Sequence, residues 1–195
     1  MPDNATRSME TETRILAATV KLVMEKGFDH TTIREICALA GVSTGAFYHH
    51  FPSKVSLFER SFLLYDATLA DRFQPEDGDP VETLRALLLQ QTDFTVGNTL
   101  AIVRGYYRYI LMDENNQASN PQRLYYRAVR RQTERACALG RFSSGRTPEQ
   151  IAELLIKFTR GCIVDWCLHG GSYDVVERLG DELDVVLVGL GAKRG

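Results

Sequence analysis

Apolar residues recur every three or four positions through almost every segment of the chain, and short breaks rich in glycine, proline and polar residues separate the segments. This spacing places apolar side chains along one face of an α-helix. The pattern therefore predicts an all-α protein of about nine helices. We expect residues 1–9 to form a disordered arm. The predicted helices cover 10–26, 33–40, 44–50, 54–73, 80–96, 100–112, 121–139, 148–168 and 173–190.

Early in the chain, capping and turn residues predict two short helices joined by a tight turn. Thr32 can cap the first helix, and Glu35 can reach back to the Thr32 amide to complete a capping box. Gly41 suits the left-handed conformation that ends a helix. Ser43 can cap the second helix, and Pro52 ends it. This order of signals is typical of a helix-turn-helix.

The second of these helices has small residues at its start and hydrogen-bonding side chains after them. Small residues allow the backbone to approach a base edge or a phosphate closely. Phe47 and Phe51, four positions apart, are expected to lie in the core. Tyr48, His49 and His50 then lie on other faces of the helix, where they could contact a partner.

The segment from Arg14 to Lys54 closely resembles the N-terminal DNA-binding domain of the TetR family of bacterial transcriptional regulators. Its motifs include AGVS before the second helix and YHHF within it. The resemblance covers about the first quarter of the chain and implies that Thr32, Tyr48 and Lys54 contact DNA phosphates. It places base or groove contacts at Ser43, Thr44, Gly45, Ala46, Phe47 and His49.

Charge does not by itself predict a nucleic-acid partner. The chain has a formal net charge of -2, and its first 54 residues contain six Lys or Arg and six Asp or Glu. Any attraction for phosphate must therefore come from placement, helix N-termini and the histidines at 30, 49 and 50. The neutral balance leaves open a second function, that of a helical small-molecule sensor without DNA-binding activity.

The rest of the chain is predicted to form a second domain, with the boundary between 1–54 and 55–195. The resemblance implies that this domain binds a small-molecule effector, and its aromatic residues could line an apolar pocket with polar groups. The arginines of 123–135 form either a solvated face or a contact for an anionic ligand. The predicted ligand-binding residues are Gln91, Tyr106, Tyr126, Arg130 and Trp166.

The last two predicted helices, 148–168 and 173–190, have broad apolar faces that include Leu183. Two such helices from each of two subunits can form a four-helix bundle. The resemblance implies that they pair in this way, so we expect a homodimer. A dimer presents two recognition helices about one DNA turn apart (~34–36 Å), which suits a palindromic operator.

Several other classes of protein are disfavoured. The polar N-terminus and the lack of an apolar run near ~18 residues predict a cytoplasmic protein without a membrane span. The four cysteines lack the spacing of a zinc site. Asp165, Cys167 and His169 lie two positions apart and cannot converge on one helix face. We therefore predict no enzyme, cofactor or metal. The resemblance implies a transcriptional regulator, a repressor that a small-molecule effector releases from its operator.

Overall fold

A computed structural model describes residues 4–27, 30–54, 56–57, 60, 78–97, 99–112 and 117–192. The all-α prediction is confirmed, because these residues form eight α-helices, one short 3-10 turn at Gln117–Ser119 and no strand. The predicted helix over 54–73 lies almost entirely outside the described residues. The helices are α1 (Asn4–Lys26), α2 (Ile33–Ala40), α3 (Thr44–His50), α4 (Pro80–Val96), α5 (Leu100–Ile110), α6 (Leu124–Ala138), α7 (Pro148–Leu168) and α8 (Val175–Gly189).

Three helix starts differ from the prediction. That of α8 is at Val175 instead of 173, because Asp174 caps the helix there. Helix α1 begins at Asn4, so the expected disordered arm is wrong for 4–9; no glycine or proline interrupts 4–26, and a helix nucleated by its apolar part can extend into polar sequence. Helix α6 begins at Leu124 instead of 121. There the Gln122 amide donates to the Asn120 side-chain oxygen at 2.9 Å, a local turn that delays the helix.

The described residues fall into two compact units. Those within Met1–Phe62 and Thr99–Ala118 form the first unit, and those within Leu63–Asn98 and Ser119–Gly195 form the second. Helix α5 thus belongs to the first unit, where it packs on α1. The functional boundary between 54 and 55 stays a prediction.

The core of the first unit joins α1, α2 and α3. Ile15 of α1, Ile36 of α2 and Phe47 of α3 are each fully buried, and Phe51 packs beside them. Truncation of such side chains costs about 2–5 kcal/mol of unfolding free energy, because it removes apolar contacts and leaves a cavity. This core fixes the position of α3.

The second unit packs α4, α6, α7 and α8 around a separate core. Its fully buried side chains include Leu84, Val129, Ile151, Leu155 and Leu183. They lie at the three- and four-residue spacing of the sequence pattern, which brings one face of each helix inward. None of the described helices is long and apolar enough to cross a bilayer.

Candidate nucleic-acid interface

Caps define the start of α2, the turn after it and the start of α3. The Glu35 amide donates to the Thr32 hydroxyl at 3.3 Å, and the Glu35 carboxylate accepts from the Thr32 amide at 2.9 Å, so the predicted capping box is present. Gly41 ends α2 with φ 65°, and the Ala46 amide donates to the Ser43 hydroxyl at 3.0 Å. These bonds satisfy donors that a helix leaves unpaired at its start. The Thr32 cap thus fixes where α2 begins, and the Ser43 cap fixes where α3 begins.

Helix α3 exposes one side and buries the other. Thr44, Gly45 and His49 are exposed, and the Tyr48 side chain is 52% exposed. Phe47, by contrast, is 0% exposed, so it cannot offer its side chain to a base. The resemblance that placed Phe47 among the contact positions is corrected on this point, because a fully buried ring belongs to the core.

The buried ring of Phe47 supports the exposed tyrosine. Phe47 and Tyr48 meet edge to face with ring centroids 5.5 Å apart, and Phe47 also packs on Phe51 at 5.7 Å. Such aromatic pairs stabilise by about 0.5–1.5 kcal/mol beyond their buried area. Tyr48 therefore stands on a packed base, with its ring half in solvent.

A second group of polar side chains lies at the start of α2. The Glu35 carboxylate accepts from the Thr32 hydroxyl at 2.7 Å and forms an ion pair with Lys26 at the end of α1. The bond from the Lys26 ammonium, followed by those from the Thr32 hydroxyl and amide, lowers the pKa of Glu35 from 4.5 to about 2. The carboxylate is therefore ionised at neutral pH.

Lys54 lies beside this group. Its ammonium donates to the Thr31 carbonyl oxygen at 2.9 Å, and the Thr31 hydroxyl donates in turn to the Gly27 carbonyl oxygen at 2.8 Å. Lys54 is half-buried, and the structure brings it next to Thr32 although 22 positions separate them in the sequence. Two of the three phosphate contacts implied by the resemblance, Thr32 and Lys54, therefore lie together.

Comparison with known proteins agrees with this geometry. Residues 15–60 match the model of the family described as bacterial regulatory proteins, tetR family. The chain is similar to the HTH-type transcriptional regulator AcrR of Shigella flexneri, with 32% identity over 46% of this chain and 43% of AcrR. The chain thus spans less than half the length of this relative. It is also similar to the HTH-type transcriptional repressor BepR of Brucella suis, with 25% identity over 83% of this chain and 82% of BepR. The chain thus carries the N-terminal region of the tetR family of bacterial regulatory proteins, and it resembles a transcriptional repressor over most of its length.

A solved structure extends the likeness to almost the whole chain. NalD of Pseudomonas aeruginosa, described as the secondary repressor of the MexAB-OprM multidrug efflux pump, has a TM-score of 0.62 and 25% identity. The likeness covers 93% of this chain and 96% of NalD. It therefore includes the second unit as well as the helix-turn-helix.

The five predicted ligand-binding residues do not all lie in one place. Tyr106 belongs to the first unit, where it packs with Val23 and Ile102. Arg130 is exposed and pairs with Glu134 at 2.9 Å and Glu149 at 3.1 Å, so it does not reach inward to a ligand. We leave both residues out of the ligand site that we propose below.

The other three lie in the second unit and are at least partly buried. Gln91 is 8% exposed; its amide nitrogen donates to the Thr95 hydroxyl at 3.2 Å, while its amide oxygen has no hydrogen-bond partner among the described residues. The Tyr126 hydroxyl accepts from Arg160 at 2.5 Å. The Trp166 indole donates to the Tyr173 carbonyl oxygen at 3.0 Å. Among the buried side chains that the structure describes, the Gln91 oxygen is therefore the acceptor without a partner.

Helices α7 and α8 each carry apolar side chains in solvent, and Leu154 is the one on α7 that the proposed interface uses. Val185 is 73% exposed and Val188 is 65% exposed, while Leu183 points into the core of its own subunit. A side chain added at Gly161 of α7 or Gly189 of α8 would meet nothing within 4 Å. The sequence pattern had not separated Leu183 from its exposed neighbours, because all are apolar.

A cleft of about 340 Å³ lies between α7 and α8 on this unit. In its wall the Tyr173 hydroxyl donates to Asp165 at 2.7 Å, and Arg178 pairs with Glu182 at 2.8 Å. Burial and the bond to Glu182 raise the pKa of the Cys162 thiol to about 11. This thiol is therefore protonated at neutral pH and has little of the thiolate character that redox chemistry needs.

Proposed function

We propose that this chain is a homodimeric DNA-binding repressor that a small-molecule effector releases from a palindromic operator. The observation that carries the proposal is the exposed surface of α3. Tyr48 and His49 face solvent from a helix that Phe47 anchors in the core and Ser43 caps. A rigid helix that presents polar groups and small residues is suited to the major groove of DNA.

The proposed contacts divide into two kinds. Thr32, Tyr48 and Lys54 bind phosphates, which set the register and supply most of the affinity. Base or groove contacts come from residues around the start and middle of α3, all of them exposed except the half-buried Ala46, and these contacts choose the sequence. They are Ser43, Thr44, Gly45, Ala46 and His49.

Homodimerisation through α7 and α8 is the second part of the proposal. Leu154 of α7 and Val185 and Val188 of α8 are apolar and solvent-exposed in a single subunit, and we propose that they belong to one interface face. A second copy would cover this face, and removal of apolar area from water stabilises such an interface by about 25 cal/mol per Å² before the costs of association. The two recognition helices would then read two half-sites of a palindrome.

Effector binding in the second unit is the third part. The buried Gln91 amide oxygen supports it, because an unsatisfied buried acceptor costs about 1–3 kcal/mol and a ligand donor would remove that cost. Tyr126 and Trp166 supply aromatic surface in the same unit. An effector that binds better to the form unable to reach both half-sites would weaken DNA binding by the dimer. The loss of DNA-binding free energy cannot exceed the difference between the effector's binding free energies for the two forms.

Selection from a random-sequence duplex library tests this function. We expect the wild-type chain to enrich a palindrome whose half-sites lie one helical turn apart, about 10 base pairs centre to centre. Failure to enrich any sequence, in a chain that still binds small molecules, would favour the sensor without DNA-binding activity. A single enriched half-site without symmetry would contradict the homodimer.

A further inference from the structure

Glu35 uses the two proton donors that Thr32 offers. The Thr32 amide donates to its carboxylate at 2.9 Å, and the Thr32 hydroxyl donates to the same oxygen at 2.7 Å. The other carboxylate oxygen pairs with the Lys26 ammonium. One carboxylate therefore engages a proposed phosphate contact and a neighbouring cation at the same time.

A DNA phosphate at Thr32 would need these same donors. It would also meet the negative charge of Glu35 at hydrogen-bond distance, and Lys26, the cation paired with that charge, would already be neutralised. From this geometry we propose that Glu35 limits the affinity of the chain for DNA, because its carboxylate competes with phosphate for Thr32 and for Lys26. The inference rests on the DNA-binding function proposed above.

The ionisation of Glu35 adds to the competition. Since its pKa is lowered to about 2, the carboxylate keeps its charge when a phosphate approaches at neutral pH. Residues 1–54 contain six Lys or Arg and six Asp or Glu, so no excess of positive charge compensates for the charge of Glu35. The charge of Glu35 thus opposes DNA binding.

The cap itself does not require the charge. At the start of α7, Gln150 makes the same capping box with Thr147: the Thr147 amide donates to the Gln150 side-chain oxygen at 3.0 Å, and the Gln150 amide donates to the Thr147 hydroxyl at 3.3 Å. A neutral side chain therefore suffices for this local structure. The substitution Glu35→Gln should remove the charge and keep the cap.

The test compares wild-type and Glu35→Gln chains on the duplex that the wild-type chain enriches. We expect the Kd of Glu35→Gln to fall roughly two- to fivefold at about 0.1 M salt, as one surface charge per subunit changes. The slope of log Kd against log salt should steepen by about one per subunit, because Lys26 becomes available to phosphate. Adding Lys26→Gln to Glu35→Gln should abolish the steeper slope.

A merely structural role for Glu35 makes the opposite prediction, that Glu35→Gln weakens both folding and DNA binding. Thermal melting measured alongside therefore separates the two roles: we expect an unchanged or lower Tm together with tighter binding. Glu153→Gln is the matched control, because it removes an exposed carboxylate, paired with Lys157, from the second unit. It should leave the Kd unchanged.

Three results would overturn the inference. Two of them leave the proposed function intact: equal or weaker binding by Glu35→Gln when the wild-type chain binds its duplex, and equal tightening by Glu153→Gln. The third is a wild-type chain that enriches no duplex and shows no salt-dependent binding, which would contradict the proposed function and this inference with it.

Discussion

The Lys54 ammonium donates a hydrogen bond to the carbonyl oxygen of Thr31, at 2.9 Å and across 23 positions of the sequence. This bond places a positive charge next to Thr32 and holds the segment after α3 against the start of α2. Lys54 can thus support the fold and attract phosphate from the same position.

For this reason Lys54→Met should affect DNA binding more than folding. We expect the unfolding free energy to fall by about 1 kcal/mol through the lost hydrogen bond. The affinity for the enriched duplex should fall roughly three- to tenfold, and the salt slope should become shallower by about one per subunit. Gel-shift titration at several salt concentrations measures both, with Lys157→Met in the second unit as the charge-matched control. An unchanged slope would remove Lys54 from the phosphate contacts.

Tyr48→Phe isolates a single hydroxyl. The ring keeps its edge-to-face contact with Phe47, so thermal melting should show little change. Loss of a phosphate hydrogen bond should weaken operator binding by about 0.5–1.5 kcal/mol per subunit. Operator binding as tight as that of the wild-type chain would exclude the Tyr48 hydroxyl as a contact.

Val185→Asp tests the proposed dimer. A carboxylate on the exposed face of α8 leaves the subunit core intact but would be buried without a partner between two subunits. We expect the dimer dissociation constant to rise at least tenfold, or by about 1.4 kcal/mol, in a sedimentation equilibrium experiment. Leu139→Asp, at a similarly exposed position after α6, should remain dimeric. Leu183→Asp is unsuitable, since Leu183 is buried in its own subunit and its replacement would unfold the chain. Dimers of undiminished affinity in Val185→Asp would place the interface elsewhere.

Gln91→Met should stabilise the ligand-free chain. It replaces a buried amide oxygen that has no partner among the described residues with an apolar side chain of similar length. Relief of that cost should raise the unfolding free energy by about 1 kcal/mol, which is about 2–4 °C in Tm for a chain of this size. Calorimetry measures this rise in Tm. A lower Tm would mean that the amide oxygen is satisfied, and the argument for a ligand at Gln91 would be lost.

Glu35 should make the stability of the chain depend on pH in the acid range. Its pKa is about 2 in the folded chain and about 4.5 in the unfolded chain, so the unfolded state takes up the proton first. Its contribution to stability is therefore complete above pH 4.5 and is lost as the pH falls toward 2. Denaturant titrations of wild-type and Glu35→Gln chains should converge over this range, while Asp79 and Glu149, whose pKa values are also lowered, cancel in the difference. Parallel curves would show that the ion pair with Lys26 does not form in solution.

The features that the sequence predicts well are local. The capping box of Thr32 and Glu35, the turn at Gly41 and the cap at Ser43 each depend on residues within four positions of one another. Their chemistry can be read directly from spacing. The same holds for the start of α7, which Pro148 and the capping box of Thr147 and Gln150 fix.

Contacts between distant residues could not be predicted in this way. The bonds of Lys54 to Thr31 and of Arg160 to Tyr126 join positions that only the packing of helices brings together. Periodicity also did not predict where two sets of side chains point. It could not show that Arg130 turns toward Glu134 and Glu149 on the surface, or which apolar residues of α8 face outward.

The salt dependence of DNA binding tests the central claim most directly. Fluorescence anisotropy of the wild-type chain with its enriched duplex, from about 50 to 200 mM salt, measures how many phosphates the chain neutralises. Lys54 in each of two subunits predicts a linear fall of log affinity with log salt, with a slope of about −2, because the uncharged hydroxyls of Thr32 and Tyr48 neutralise no phosphate. Affinity that does not change with salt, or no binding at all, would contradict the proposal that this chain is a DNA-binding repressor.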